Sequence, residues 1–385
     1  MKRRNFIASG SLASLPMVFA SNPARALQFQ TEQDLPVNLI LDGYYLQPRE
    51  YIRKLQEIEN QQGIQGDFYS QGGVVQELEQ KFCEITGKEA AMYMPSGTMA
   101  NELSIRLLSG NKTKVIVHEQ SHIYRDEGDA AQAIHNLRLV PVHTEKHYFS
   151  LNDLQARIKS LEEGEVFYDG LGSISVENPV RRHKGKIVDL EHIRQVSVYA
   201  RTHKIGTHLD GARLHLASAY SGVDVKEYSS FFDTVYISLY KYLGAAGGAI
   251  LCGDQALIEQ MGHYIKILGG STFRSWTHAA MANYFLSGLE ERLSQMKQQA
   301  EELLNKLNEL DELTIKPVPE GSNVFFLHSD RIDLEKFAEE MNKKQGIGIK
   351  YPANRQIEVH MNESILQKSN SELLASFKTA IARSA

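Results

Sequence analysis

Residues 189–251 read DLEHIRQVSVYARTHKIGTHLDGARLHLASAYSGVDVKEYSSFFDTVYISLYKYLGAAGGAIL, and this stretch decides the fold class. Behind Asp189, a good N-cap, Leu190, Ile193, Val196 and Ala200 recur at helical steps and predict an amphipathic helix. Residues 205–209, 234–239 and 248–251 are short apolar runs bounded by glycine or charge, and they read as strands. Strand and helix alternating in this way predict an α/β layer structure with a mainly parallel sheet. Upstream, Val75, Leu78, Phe82 and Ile85 predict a helix that Gly87 ends, and residues 114–117 form a β-branched strand. The pattern changes after about residue 280. Leu289, Leu293, Met296, Ala300, Leu303, Leu307 and Leu310 mark one long amphipathic helix. A strand at 323–328, a helix with Leu334, Phe337 and Met341, a strand at 357–361 and a terminal helix with Leu374, Phe377 and Ile381 follow. The expected organisation is an extended arm over 27–49, a large α/β domain over 50–280 and a small α+β domain over 281–385.

Composition narrows the function classes. The chain has 385 residues, 42% hydrophobic and 23% charged, which is globular and excludes a disordered or collagen-like protein. Its net charge of −5 leaves no basic stripe for nucleic acid. Two cysteines, Cys83 and Cys252, cannot build a disulfide framework or a zinc quartet, although one internal bridge remains open. The first 26 residues, MKRRNFIASGSLASLPMVFASNPARA, have a basic start, an apolar stretch and small residues before a cut after Ala26, with Ala20 as the alternative. Arg3-Arg4 with Phe6 reads as a twin-arginine signal, which predicts a folded protein exported to the periplasm. No later run reaches the roughly 18 apolar residues of a membrane span.

Four short segments could carry chemistry. His118-Glu119-Gln120-Ser121-His122 matches the H-E-x-x-H zinc signature, but that chemistry needs both histidines on one helix face. His118 closes a β-branched strand and no third ligand follows, so no metal is expected. Pro95-Ser96-Gly97-Thr98 opens an amphipathic helix and offers free backbone N–H groups to an anion, without being a dinucleotide or Walker loop. In His208-Leu209-Asp210-Gly211-Ala212-Arg213, Asp210 ends a strand, where α/β proteins bind ligands. In Ser238-Leu239-Tyr240-Lys241-Tyr242-Leu243-Gly244, Lys241 lies just beyond the apolar strand at 234–239. Singly these are a turn, a helix cap and a solvated strand end. Jointly, a phosphate cradle, an acid and a lysine make the set that pyridoxal phosphate needs.

The segments GDFYSQGGVVQELEQKF, GKEAAMYMPSGTMANELSIR, HEQSHIYRDEG, HLDGARLHLASAYSGVDVKEY and LYKYLGAAGG resemble the threonine aldolase/β-eliminating lyase family, strongly over residues 60–280. That resemblance implies a fold-type I pyridoxal-phosphate enzyme, with a mainly parallel seven-stranded sheet flanked by helices. It implies Lys241 as the lysine bonded to the cofactor and Asp210 as the partner of its ring nitrogen. Ser96, Gly97 and Thr98 match the phosphate site, and His122 matches a ring-stacking histidine that is also a proton-transfer candidate. Arg213 matches an arginine near the cofactor hydroxyl and the substrate carboxylate. Tyr69 and Arg274 match residues of a site shared between subunits, which implies a homodimer or homotetramer. Glu127 and Glu177 are acids with less defined roles. The implied reaction cleaves the Cα–Cβ bond of a β-hydroxy-α-amino acid to glycine and an aldehyde. β-Elimination, or cofactor binding with little catalysis, are the alternatives.

Three departures concern the substrate end. Tyr240 stands where serine commonly precedes the lysine. The amino-terminal Ser-Asp-Thr stretch is replaced by Leu41-Asp42-Gly43, and the late arginine aligns with Gln356, leaving Arg355 as a substitute one residue away. An altered clamp changes which substrates fit, because a bidentate arginine supplies geometry as well as charge.

Overall fold

The computed structural model describes residues 36–43 and 45–385; the expected signal segment and residues 27–35 and 44 of the arm lie outside the described residues. Twelve strands, β1 to β12 in chain order, form three sheets among these residues. The largest contains β2 (Ala90–Met94), β3 (Lys114–His118), β4 (Arg138–Val142), β5 (Ser173–Glu177), β6 (Gly206–Asp210), β7 (Thr234–Ser238) and β8 (Ala249–Gly253). Their spatial order is β2-β8-β7-β6-β5-β3-β4, and β8 alone runs against its neighbours. This is the α/β architecture expected from the alternating pattern. Strands β3 and β4 build outward one way and β5 to β8 the other, so the strand order reverses between the parallel neighbours β3 and β5. Ligands of open α/β sheets bind at the carboxyl edge beside such a switch point.

Local chemistry sets the helix boundaries as read. Asp189 caps helix Leu190–Thr202 by accepting from the Glu191 amide at 2.9 Å. Gly87 ends helix Gly73–Thr86 in the left-handed conformation, where glycine has no Cβ penalty. Helix Leu289–Asn308 buries Leu289, Leu293, Met296, Ala300, Leu303 and Leu307 along one stripe.

The second sheet is antiparallel, β12 (Gln356–His360), β10 (Val324–His328) and β9 (Thr314–Pro317) in that order. A two-stranded sheet pairs β1 (Val37–Asn38) in parallel with β11 (Ile347–Gly348). One apolar core joins both halves of the molecule, running from Ile116 and Leu209 in the large sheet through Leu293 to Phe337 and Phe377. Both cysteines are free thiols, Cys252 buried and Cys83 partly so, which closes the question of an internal bridge. No helix among the described residues is long and apolar enough to cross a membrane.

The amino-terminal segment is built into the small sheet. The Leu39 amide donates to Gly348 O at 2.7 Å and the His360 amide to Leu39 O at 2.8 Å. Asn362 Nδ2 donates to the carbonyls of Asn38 and Leu41 at 2.7 and 2.8 Å. Asn362→Ala should therefore lower unfolding free energy by about 1–3 kcal/mol, the cost of orphaning buried polar groups, as read from urea denaturation.

Candidate active site

Ser96, Gly97, Thr98, His122, Glu127, Glu177, Asp210, Arg213, Tyr240 and Lys241 all line one cavity of about 270 Å³ at the carboxyl edge of the large sheet. The parallel sheet explains the convergence. Asp210, Glu177 and Ser238 end three neighbouring strands, His122 follows β3, and the loop after β2 opens the helix Gly97–Ser109. Ser96 caps that helix through Oγ, which accepts from the Met99 amide at 3.2 Å. A Cβ at Gly97 would overlap the Tyr236 hydroxyl, so glycine lets the helix start approach β7.

A hydrogen-bonded network fixes the acids. Asn101 Nδ2 donates to Asp210 Oδ2 at 3.0 Å and to Glu127 Oε1 at 2.7 Å. Its own oxygen meets His208 Nε2 at 2.9 Å, and His208 Nδ1 lies 2.8 Å from Thr234 Oγ1. His122 Nδ1 lies 2.8 Å from Glu127 Oε1, while Glu177 accepts from the amides of His122 and Arg181, each at 2.7 Å. Burial first, then the charge of Asp210, pushes the Glu177 carboxyl well up. Burial likewise raises Glu127, whose Oε2 has no partner. Burial opposes charge on His122, but Glu127, Asp210 and Glu177 outweigh it and raise the imidazole above its ordinary value. His122, Glu127 and Asp210 offer atoms within 4.8 Å of one another, a spacing that these hydrogen bonds account for. His118 has separate partners, Lys146 O and the Gln120 amide, so the H-E-x-x-H histidines do not share a ligand.

Lys241 is 8% exposed, and no protein group among the described residues hydrogen-bonds its amine. Its Nζ stands 5.2 Å from the centre of the Tyr240 ring. Burial, and next the Arg213 charge, push the amine down to about 7. It is therefore substantially unprotonated, and nucleophilic, at neutral pH.

The residues present fit pyridoxal phosphate. Gly97 and Thr98 line the cavity at a helix start, where backbone N–H groups lack intrahelical acceptors and can serve an anion. Asp210 keeps acceptor capacity beyond its bonds to Asn101 and the Ala212 amide. The Lys241 amine is available for a carbonyl carbon.

Asp42 was not singled out from the sequence, yet its Oδ2 accepts from Arg213 Nη2 at 2.6 Å. The segment without Ser-Asp-Thr thus still delivers a carboxylate to this edge. Asn101, His208 and Tyr236 were also passed over; each reads locally as an ordinary helix or strand residue. The remaining candidates lie elsewhere. Arg274 bonds the carbonyl of buried Asp67, whose carboxylate accepts from the amides of Ser70, Ser275 and Trp276, and the Tyr69 amide donates to Phe273 O at 3.0 Å. Tyr69 lines a neighbouring cleft that shares only Pro95 with the Lys241 cavity. Arg355 is exposed on the turn before β12, in a left-handed conformation, and Gln356 begins that strand. Neither lines the Lys241 cavity.

Residues 48–330 match the β-eliminating lyase family. A protein named low-specificity L-threonine aldolase from Candida albicans is 34% identical over 228 residues, covering 58% of this chain and 60% of the relative. The match thus spans less than two thirds of that relative's length. A crystal structure from an Exiguobacterium species, whose name assigns it to the aromatic amino acid β-eliminating lyases and threonine aldolases, superposes with a TM-score of 0.76. It shares 23% identity and covers 92% of this chain and 99% of that one. A structure from Listeria monocytogenes named for L-allo-threonine aldolase gives 0.74 at 23% identity, covering 93% and 99%. At that identity the two structures establish the shared fold.

The Lys241 environment makes a direct prediction. When pyridoxal phosphate is added to cofactor-free protein, the capture rate should rise with pH through a midpoint of about 7. An ordinary lysine would give a midpoint of about 10.4. Stopped-flow absorbance across pH 6–11 distinguishes the two.

Proposed function

The chain belongs to the β-eliminating lyase family, and from that premise we propose that it is a pyridoxal-phosphate-dependent lyase. It cleaves the Cα–Cβ bond of a threonine-like β-hydroxy-α-amino acid to glycine and an aldehyde. The observation that carries this reading is the meeting of Lys241, Asp210, His122 and the Gly97 helix start in one cavity. Bound there, pyridoxal phosphate supplies an electron sink for the pair released at the substrate Cα.

The chain's own groups divide the remaining work. Lys241 presents an unprotonated amine at Nζ and is the attachment point. Asp210, held by Asn101, would be the acid partner of the cofactor's ring nitrogen. The helix start at Gly97 and Thr98 would hold the phosphate. His122 is oriented through Nδ1 by Glu127, so Nε2 is the atom left to accept the β-hydroxyl proton. Because that imidazole titrates above its ordinary value, it accepts a proton only as pH rises past that raised value. Arg213 offers a guanidinium at the cavity wall to the substrate carboxylate.

The test is an absorbance spectrum and product assay with threonine, allo-threonine and phenylserine. Wild-type protein should show a visible cofactor band and release aldehyde; Lys241→Ala should lose the band and essentially all aldehyde release. Ammonia plus a keto acid would instead assign β-elimination, the reaction for which the family is named. A band without turnover would leave a cofactor-binding protein.

Two further properties belong to this reading. The mature protein is a homodimer or homotetramer with shared sites, supported by three exposed, mutually packed rings. Phe68, Tyr69 and Phe273 are 59%, 45% and 52% exposed, with edge-to-face centroid distances of 4.9–5.4 Å. The protein is exported to the periplasm by the Arg3-Arg4 signal. Light scattering on the mature protein should give at least twice the chain mass, and changing both arginines to lysine should shift it from the periplasmic to the cytoplasmic fraction. A monomer, or unchanged fractionation, rejects the respective claim.

A further inference from the structure

Asp42 occupies a junction of three segments. Its backbone follows the strand that joins the small sheet, through Leu39, His360 and Asn362. On the other side, Gly43 packs so closely on the carbonyl of Lys241 that a Cβ there would overlap it. The Asp42 side chain is thereby held between Arg213, at 2.6 Å from Oδ2, and His360, whose Nδ1 lies 3.9 Å from Oδ1. That imidazole nitrogen is buried and has no hydrogen-bond partner; the other one is engaged by Glu358 at 2.8 Å. Burial works against charge on Asp42, yet Arg213, Lys241 and His360 outweigh it and hold the carboxyl well below its usual range.

Arg213 depends on this contact. Its side chain is 8% exposed, and Nη2 to Asp42 is the hydrogen bond that its guanidinium makes among the described residues. The guanidinium carries five donors, so the Asp42 contact at Nη2 restrains the group and leaves its other donors for a ligand in the cavity that Arg213 lines. Besides Asp42, the carboxylate whose charge acts on Arg213 is Glu177, which lines the same cavity. A released guanidinium would turn toward that acid and lose its aim.

We propose that Asp42 is a positioning residue, one that holds Arg213 so that its free edge receives the substrate carboxylate and ties that receptor to the small sheet. The proposal rests on the amino-acid substrate reading above. It separates two effects of one carboxylate. As a holder, Asp42 strengthens carboxylate binding; as a mere counter-charge, it would weaken it.

The experiment measures equilibrium binding of glycine and of glycinamide to cofactor-loaded protein, followed by visible absorbance. Wild type, Asp42→Asn and Asp42→Ala are compared, with thermal unfolding and the cofactor band confirming the fold. Steady-state kcat and KM for threonine are measured alongside. Asp42→Ala should weaken glycine binding about tenfold or more, the scale of a charge-assisted hydrogen bond, and Asp42→Asn should weaken it less. Glycinamide binding should change less than about twofold, and KM should rise while kcat stays within about threefold. Tighter glycine binding in Asp42→Asn, equal weakening of both ligands, or no change in either would overturn the role. A wild type that binds neither ligand would instead overturn the amino-acid reading itself, and this proposal with it.

Discussion

Three adjacent parallel strands share one register: Glu177 lies opposite Asp210, and Asp210 opposite Tyr236. The rest of the site depends on that row. It sets two buried carboxylates side by side at the sheet edge, brings the Tyr236 hydroxyl against Gly97, and starts the turn that carries Lys241 back over them. A slip of one residue in any of these strands would send its functional side chain to the opposite face. Hydrophobic burial prevents the slip, because Val176, Leu209, Val235 and Ile237 are all core residues whose alternation permits one register.

The row has an electrostatic cost that the surrounding groups offset. Asp210, Glu177 and Glu127 crowd one floor, and bringing like charges out of water is unfavourable. Backbone amides of His122 and Arg181, the Asn101 amide and the His122 ring share that load. Across the cavity, Arg213 and Lys241 are cations in the same low-dielectric space. The arginine is matched by Asp42 and keeps its charge, whereas the lysine has no hydrogen-bonded partner and yields its proton. One arrangement therefore leaves a charged anchor and an uncharged nucleophile next to each other.

Much of this was legible beforehand. The helix caps at Asp189 and Gly87 and the stripe from Leu289 to Leu307 are local patterns that formed as read, and the strands expected at 205–209 and 234–239 formed at Gly206–Asp210 and Thr234–Ser238, each within a residue at either end. So did the grouping of Ser96, Gly97, Thr98, His122, Asp210 and Lys241, because a parallel sheet places every strand's carboxyl end on one edge. The reversed direction of β8 and the pairing of β1 with β11 had no local signal, since two-residue strands and strand polarity arise only from their partners.

The sequence by itself determined which segments are helix or strand, which residues carry reactive groups, and that these groups sit at strand ends. Those properties follow from periodicity and turn chemistry within a few residues. Only the tertiary structure decided which charges face each other. Asp42 and Arg213 are 171 positions apart, and His208 meets Asn101 across 107. Such contacts depend on how the amino-terminal segment, the large sheet and the small sheet close together. Burial then converts that closeness into the shifted protonation of Lys241, Glu177 and His122, because a charge's neighbours and its access to water are properties of the folded volume.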